Sequence, residues 1–221
     1  MMLHLHHLEN SRSLRIAWLL EELNLDYKLT VYQRTKANLA PKSLEKIHPM
    51  GKAPILEVDD KALAESGFII DYLLKHHDTK GTLKPNDGKA WEDYTYWFHF
   101  AESSAMPNLV MRLIFSKVVE RSPLVIRPVA KKIQASVEES MISGNINKML
   151  DLMDQHLSAN KWFAGNEFTA ADIQMYLVGV GANARNSLDK TKYANILNWL
   201  KRCESRDAFL KAVDKAGKLD F

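Results

Sequence analysis

The sequence predicts two folded units in series, an α/β domain followed by an all-α helical bundle domain. Three observations carry this. Over residues 1–78, short runs with strand patterning alternate with longer runs of helical pattern. Residues 79–88 gather Lys80, Gly81, Pro85, Asn86, Asp87 and Gly88, the composition of a linker. From 89 to 221 only apolar spacings of three and four residues occur.

Leu3–Leu8 is short and alternates apolar with polar residues, so it reads as a strand. Ser11–Leu23 is apolar through most of its middle, with charges at Arg12, Arg15, Glu21 and Glu22, and reads as a buried helix ending at Asn24. Tyr27–Val31 is the next expected strand, and a polar connection leads to a short helical piece near Ser43–Ile47. Ala53–Val58 and Lys61–Leu63 flank Asp59-Asp60 as the arms of a hairpin. Ser66 opens a helix carrying Phe68, Ile69, Ile70, Leu73 and Leu74, and the order is β-α-β-α-β-β-α.

In the second unit Trp91, Tyr94, Phe98, Ala101 and Ala105 share one helical stripe. Ile146, Met149, Leu150, Met153 and Leu157 form a second, and Ile196, Trp199, Leu200 and Cys203 a third. Pro107, Pro123 and Pro128 punctuate the early helices. The strongest local signature is Phe168-Thr169-Ala-Ala-Asp172-Ile173. The Thr169 hydroxyl accepts the amide hydrogen three residues on, Asp172 reaches back to the Thr169 amide, and Phe168 packs on Ile173. This capping box starts a buried helix and does no chemistry.

Composition excludes several classes. The 221 residues are 46% hydrophobic and 26% charged, which supplies a core and argues against disorder. A net charge of +3 is too slight to imply a nucleic-acid partner. Arg112, Lys117, Arg121, Arg127, Lys131 and Lys132, with only Glu120 opposing them, read as a solvated helix face or a modest rim for an anionic ligand. One cysteine, Cys203, forbids an internal disulfide and fits a reducing compartment. No run approaches the roughly 18 apolar residues of a membrane span, and the first residues lack the pattern of a secretory signal. The cytosol is the expected location.

Three short segments carry candidate chemistry. In Gly51-Lys52-Ala53-Pro54, a cis Ala53–Pro54 bond would turn the Ala53 amide and carbonyl outward to pair with an extended peptide. An ordinary trans proline at a strand edge is the plainer alternative. Glu65-Ser66 precedes a helix; the carboxylate suits a ligand ammonium, and Ser66 with the helix amides suits a carboxylate. Simple capping explains the same pair. Ser11 lies where the first strand passes into the first helix, so its hydroxyl can donate to an anion, or merely cap. An ordinary thiol has a pKa of about 8.5, and lowering it by one unit takes about 1.4 kcal/mol, within reach of one charge-assisted hydrogen bond.

Together these segments resemble those of bacterial and fungal glutathione S-transferases. Asn10–Leu23 is similar to their first helix, and His48-Pro49-Met50-Gly51-Lys52-Ala53-Pro54 to their asparagine-proline-x-glycine-lysine-valine-proline segment. Ala64–Ile70 resembles their glutamate-serine segment, and Trp162-Phe163-Ala164-Gly165 leading to Thr169–Asp172 resembles their helical capping motif. The resemblance covers nearly the whole chain. It implies a thioredoxin-like glutathione-binding domain over 1–78, a linker over 79–88 and a helical domain over 89–221. It implies that Ser11 activates the glutathione thiol, that Ala53 before Pro54 pairs with the cysteinyl backbone, that Glu65 and Ser66 hold the γ-glutamyl end, and that Lys52 approaches the glycyl carboxylate. Alanine stands where valine is commoner at Ala53, and His48 replaces the usual asparagine.

The resemblance also places an electrophile pocket between the domains, bordered by Phe98, Glu102, Met106 and Met111; for the aromatic and the methionines, taken singly, helix-packing core is the plainer reading. It implies a homodimer and no cofactor beyond glutathione as co-substrate. The expected activity is conjugation of glutathione to small apolar electrophiles, with glutathione-dependent peroxide reduction or non-catalytic ligand binding as alternatives and nucleic-acid binding a distant third. His4 and His6 share a strand face, but nothing in the sequence supplies a third metal ligand, so a partly exposed edge strand and no metal are expected. Absence of Cys-x-x-Cys at the first helix disfavours disulfide exchange.

Overall fold

The computed structural model describes residues 2–184 and 188–220, so the expected outer limits at 1 and 221 lie outside the described residues. β1 (Leu3–Leu8), α1 (Ser13–Glu22), β2 (Lys28–Tyr32), a 3-10 turn (Lys42–Lys46), β3 (Ile55–Val58), β4 (Lys61–Ala64) and α2 (Ser66–His77) follow in the expected order. They form a thioredoxin-like domain with one small mixed sheet, in strand order β2-β1-β3-β4.

β1 is an inner strand, not the partly exposed edge expected from its histidines. α1 crosses over and returns β2 parallel to β1, with Leu5 opposite Leu29, while the β3–β4 hairpin pairs antiparallel on the other side, with Leu5 opposite Leu56. Leu3 and Leu5 point one way, into the core with Leu56 and Val58. Every α1 residue from Ser13 to Leu20 is buried, because the helix lies between this sheet and the helical half. Trp18 packs on Phe168, Tyr176 and Phe209, with ring centroids 5.0–5.5 Å apart, so the two halves share one core.

Residues 78–87 carry no helix or strand. The helical domain follows as α3 (Gly88–Phe100), α4 (Met106–Arg121), α5 (Arg127–Val137), α6 (Ser143–Ala159), α7 (Ala170–Ala182), α8 (Ala194–Glu204) and α9 (Asp207–Ala216). Pro107 does not end a helix here. It sits in the first turn of α4, and α3 runs into α4 through a widened π-type turn, Ala101–Ala105, which accommodates the missing donor. A second such turn, Glu138–Ile142, joins α5 to α6. Trp91 is 44% exposed, so the buried stripe of α3 begins at Tyr94.

The capping box at α7 is formed. Asp172 is fully buried and accepts from the Thr169 amide, the Phe163 amide and Trp199 Nε1, each at 3.0 Å. One carboxylate thereby ties the Trp162–Gly165 turn, α7 and α8 together. Burial pushes its pKa up to about 6 despite these donors. Cys203 is buried, and burial pushes its thiol well above the usual range.

Candidate functional site

A cleft of about 770 Å³ lies between the two halves. Lys52, Ala53, Pro54, Glu65 and Ser66 line it from the first domain, and Phe98, Glu102 and Gln174 from the second. The Ala53–Pro54 bond is cis. The ladder between β1 and β3 ends at the His6–Ile55 pair, so Ala53 lies beyond it. Gly51 sets up this approach at φ +57°, where an added Cβ would meet Glu45 Cγ at 2.7 Å.

Ser66 is the first residue of α2 rather than its cap, and Glu65 takes the capping position at φ 70°. That backbone region is sparsely populated for a side chain as large as Glu and persists only where the surroundings hold it. Glu65 is exposed at the cleft and Ser66 is buried. Ser66 Oγ accepts from Arg15 Nη1 at 3.3 Å. Arginine only donates, so the serine keeps its own proton to give into the cleft. Arg15 Nη2 donates to the Gln174 carbonyl at 2.6 Å, while Gln174 Oε1 is buried without a partner.

Glu102 completes the floor. Its Oε1 accepts from Arg15 Nη1 at 2.6 Å, and Arg12 Nε reaches both of its oxygens at 3.1–3.2 Å. Burial raises the Glu102 pKa, but the Arg15 and Arg12 guanidiniums more than offset this and hold it below the usual range. Burial pulls Arg15 down to about 10, which leaves it charged at neutral pH. Lys52 and Glu65 both line the cleft, which therefore presents both signs of charge to a ligand.

Ser11 is placed differently from the expectation of a helix start. α1 begins at Ser13, with Arg12 at the cap, and Ser11 belongs to the preceding turn. Ser11 Oγ donates to the Leu8 carbonyl at 2.7 Å and lies 2.6 Å from Ser13 Oγ, which in turn lies 2.8 Å from His7 Nδ1. Burial lowers the His7 pKa, so this chain of hydroxyls ends on a neutral imidazole. At this position it is Arg12 that lines the cleft.

The cleft thus brings together Lys52, Ala53, Pro54, Glu65, Ser66, Phe98 and Glu102, and does not bring in Ser11, Met106 or Met111. Both methionines pack, half-buried, against the core. None of the basic residues of α4 and α5 reaches the cleft. Arg112 pairs with Glu138 and Lys117 with Glu120. Sequence reasoning missed Arg12, Arg15 and Gln174. Arg15 had a signal: a charge set among Leu14, Ile16, Ala17 and Trp18 must find a buried partner.

Known proteins share this fold. Residues 1–75 match the glutathione S-transferase N-terminal domain and residues 110–207 the glutathione S-transferase C-terminal domain. Glutathione S-transferase 3 of Schizosaccharomyces pombe is 35% identical over 214 residues, covering 97% of this chain and 88% of that protein. The chain belongs to the glutathione S-transferase family. Glutathione S-transferase 1 of Saccharomyces cerevisiae is 33% identical over 97% of this chain and 95% of its own length. A solved glutathione S-transferase from Actinobacillus pleuropneumoniae superposes with a TM-score of 0.78 at 29% identity, covering 99% of this chain and 95% of that one. A Sulfitobacter glutathione transferase homolog solved with bound glutathione shares the fold, with a TM-score of 0.76 at 20% identity over 97% of this chain and 98% of its own. Glu65, Ser66 and Pro54 lie within the span matched by the N-terminal domain of the transferase family.

Proposed function

We propose that this chain binds glutathione in the interdomain cleft and transfers its thiolate to small apolar electrophiles. The single observation that carries this is the convergence of Lys52, Ala53, Glu65 and Ser66 on one wall, opposed by Phe98 of the helical domain. Glu65 takes the γ-glutamyl ammonium, Ser66 and the first amides of α2 take its carboxylate, and Lys52 takes the glycyl carboxylate. The backbone of Ala53 pairs with the cysteinyl portion. The thiol then lies toward the turn at Ser11 and Arg12. Glutathione is a co-substrate, and the reaction forms a carbon–sulfur bond as the electrophile releases its leaving group or takes a proton. Retention on immobilised glutathione, with turnover of an aryl halide reduced by Ser11→Ala, is the expected result; failure of retention sinks the reading.

A second reading has its own observation. The single Ser11 proton is directed to Leu8, so activation requires that hydroxyl to turn toward the bound sulfur. Retention without turnover of aryl halides, hydroperoxides or isothiocyanates would favour a binding protein, and turnover of hydroperoxides alone a peroxidase. Two further proposals go with the main reading. The chain pairs with a second copy, supported by the exposed apolar stretch Leu124, Val125 and Ile126 between α4 and α5. A gel-filtration mass of one chain would refute this. It resides in the cytosol, supported by its one buried, unpaired cysteine.

A further inference from the structure

His4 and His6 stand two residues apart on β1 and share the face turned away from the core. The antiparallel register sets Glu57 of β3 directly across from His4. His4 Nδ1 lies 3.0 Å and His6 Nε2 2.7 Å from one oxygen, Glu57 Oε2. The three donor atoms all lie within 4.8 Å of one another. The third ligand that the sequence did not reveal is thus supplied by a strand about fifty residues away. The other ring nitrogens are held as well: His4 Nε2 lies 2.8 Å from Thr30 Oγ1, and His6 Nδ1 3.0 Å from Tyr32 Oη, both on β2.

We propose that His4, His6 and Glu57 form a binding site for one divalent transition-metal ion of the zinc type, with water completing its coordination. Two imidazoles and one carboxylate are a donor set for such ions, whereas magnesium and calcium prefer oxygen alone. Zinc bonds of about 2.0–2.2 Å put tetrahedral donors roughly 3.3 Å apart. The present separations from Glu57 therefore need to open by only a few tenths of an ångström. His6 is nearly enclosed, while the Glu57 side chain is 38% exposed and leaves an entry path and room for water.

The hydrogen-bond inventory is complete with and without an ion. With none, both rings give N–H to Glu57, which only accepts, and the Thr30 and Tyr32 hydroxyls donate to the opposite nitrogens. With an ion, each ring carries its proton on the outer nitrogen and donates to the same hydroxyl. Ring orientation is kept throughout, the outer support that metal-bound histidines require. Lys28, in register with His4 on β2, is exposed, where solvent and salt screen its charge. None of the three ligands lines the interdomain cleft, so the ion ties β1 to β3 rather than serving transfer.

The test uses the full chain, freed of any histidine tag and stripped with a chelator. Calorimetric titration with Zn²⁺ is expected to give one ion per chain, and Co²⁺ a visible absorption band that Zn²⁺ displaces. Glu57→Gln is expected to weaken Zn²⁺ binding at least tenfold. Absence of saturable binding, or an unchanged affinity in Glu57→Gln, overturns the site. If Glu57→Gln does not fold, Tyr32→Phe decides: it removes only the hydroxyl behind His6, so a loss of about tenfold supports the site and an unchanged affinity overturns it.

Discussion

Arg15 Nη1 and Glu102 Oε1 lie 2.6 Å apart, joining α1 of the first domain to the widened turn between α3 and α4 of the second. Arg15 is 2% exposed, so this is an ion pair almost withdrawn from water on one side and open to the cleft on the other. Arg15→Met leaves the Gln174 carbonyl and Ser66 without their arginine donor and leaves the Glu102 carboxylate with Arg12 alone. Because Glu102 keeps Arg12 and is partly exposed, the expected cost is about 1–3 kcal/mol in urea unfolding. A loss below about 1 kcal/mol would show that the pair does not hold the domains together.

Gln174 lines the cleft, and its Oε1 is buried with no hydrogen bond of its own. A ligand ammonium at Glu65 would supply one. Gln174→Leu is therefore expected to raise KM for glutathione roughly tenfold with little change in kcat, the signature of lost ground-state binding. Steady-state kinetics at varied glutathione checks it, and an unaltered KM rejects it.

Ser11→Ala removes the donor proposed for the thiolate. The bound thiol should then titrate about one unit higher, moving the rise of kcat/KM with pH by that amount. Retention on glutathione should persist. An unmoved profile would assign thiolate stabilisation to Arg12 and the backbone of the turn instead.

Asp172 carries an unusual pH dependence. Its folded pKa, about 6, is above the ordinary 3.8. The folded state therefore binds more protons between about pH 4 and 6, and this group's contribution to stability falls as pH rises through that window. Glu102 works in the opposite sense: its folded pKa is depressed, so its contribution is lost as pH falls. Comparing wild type with Asp172→Asn, the stability difference should narrow by about 3 kcal/mol as pH rises from 4 to above 6. A difference independent of pH would show that the carboxylate is never protonated in the folded chain.

What the sequence revealed was local. Leu3–Leu8 announces its strand by alternation alone, and Thr169–Asp172 announces the start of α7 because both capping partners lie within one turn. Ala53, Glu65 and Ser66 stood out because each sits beside a strand end or helix start that its neighbours define, but their joint role, and any role for Lys52, came only from the resemblance to the family. What stayed hidden depends on distant pairing. Glu57 reaches His4 only through the register of β1 with β3, and Arg15 finds Glu102 only once the domains dock. The exposure of Trp91 likewise depends on which helices α3 meets, which a three-and-four spacing does not specify.

The position of β1 inside its sheet bears on synthesis. β2 and β3 touch only through it, yet β3 leaves the ribosome some fifty residues after β1. Until Val58 has emerged, the nascent chain holds at most a two-stranded parallel pair under α1, an assembly too small to be stable by itself. One side of β1 then remains an open template for any passing strand.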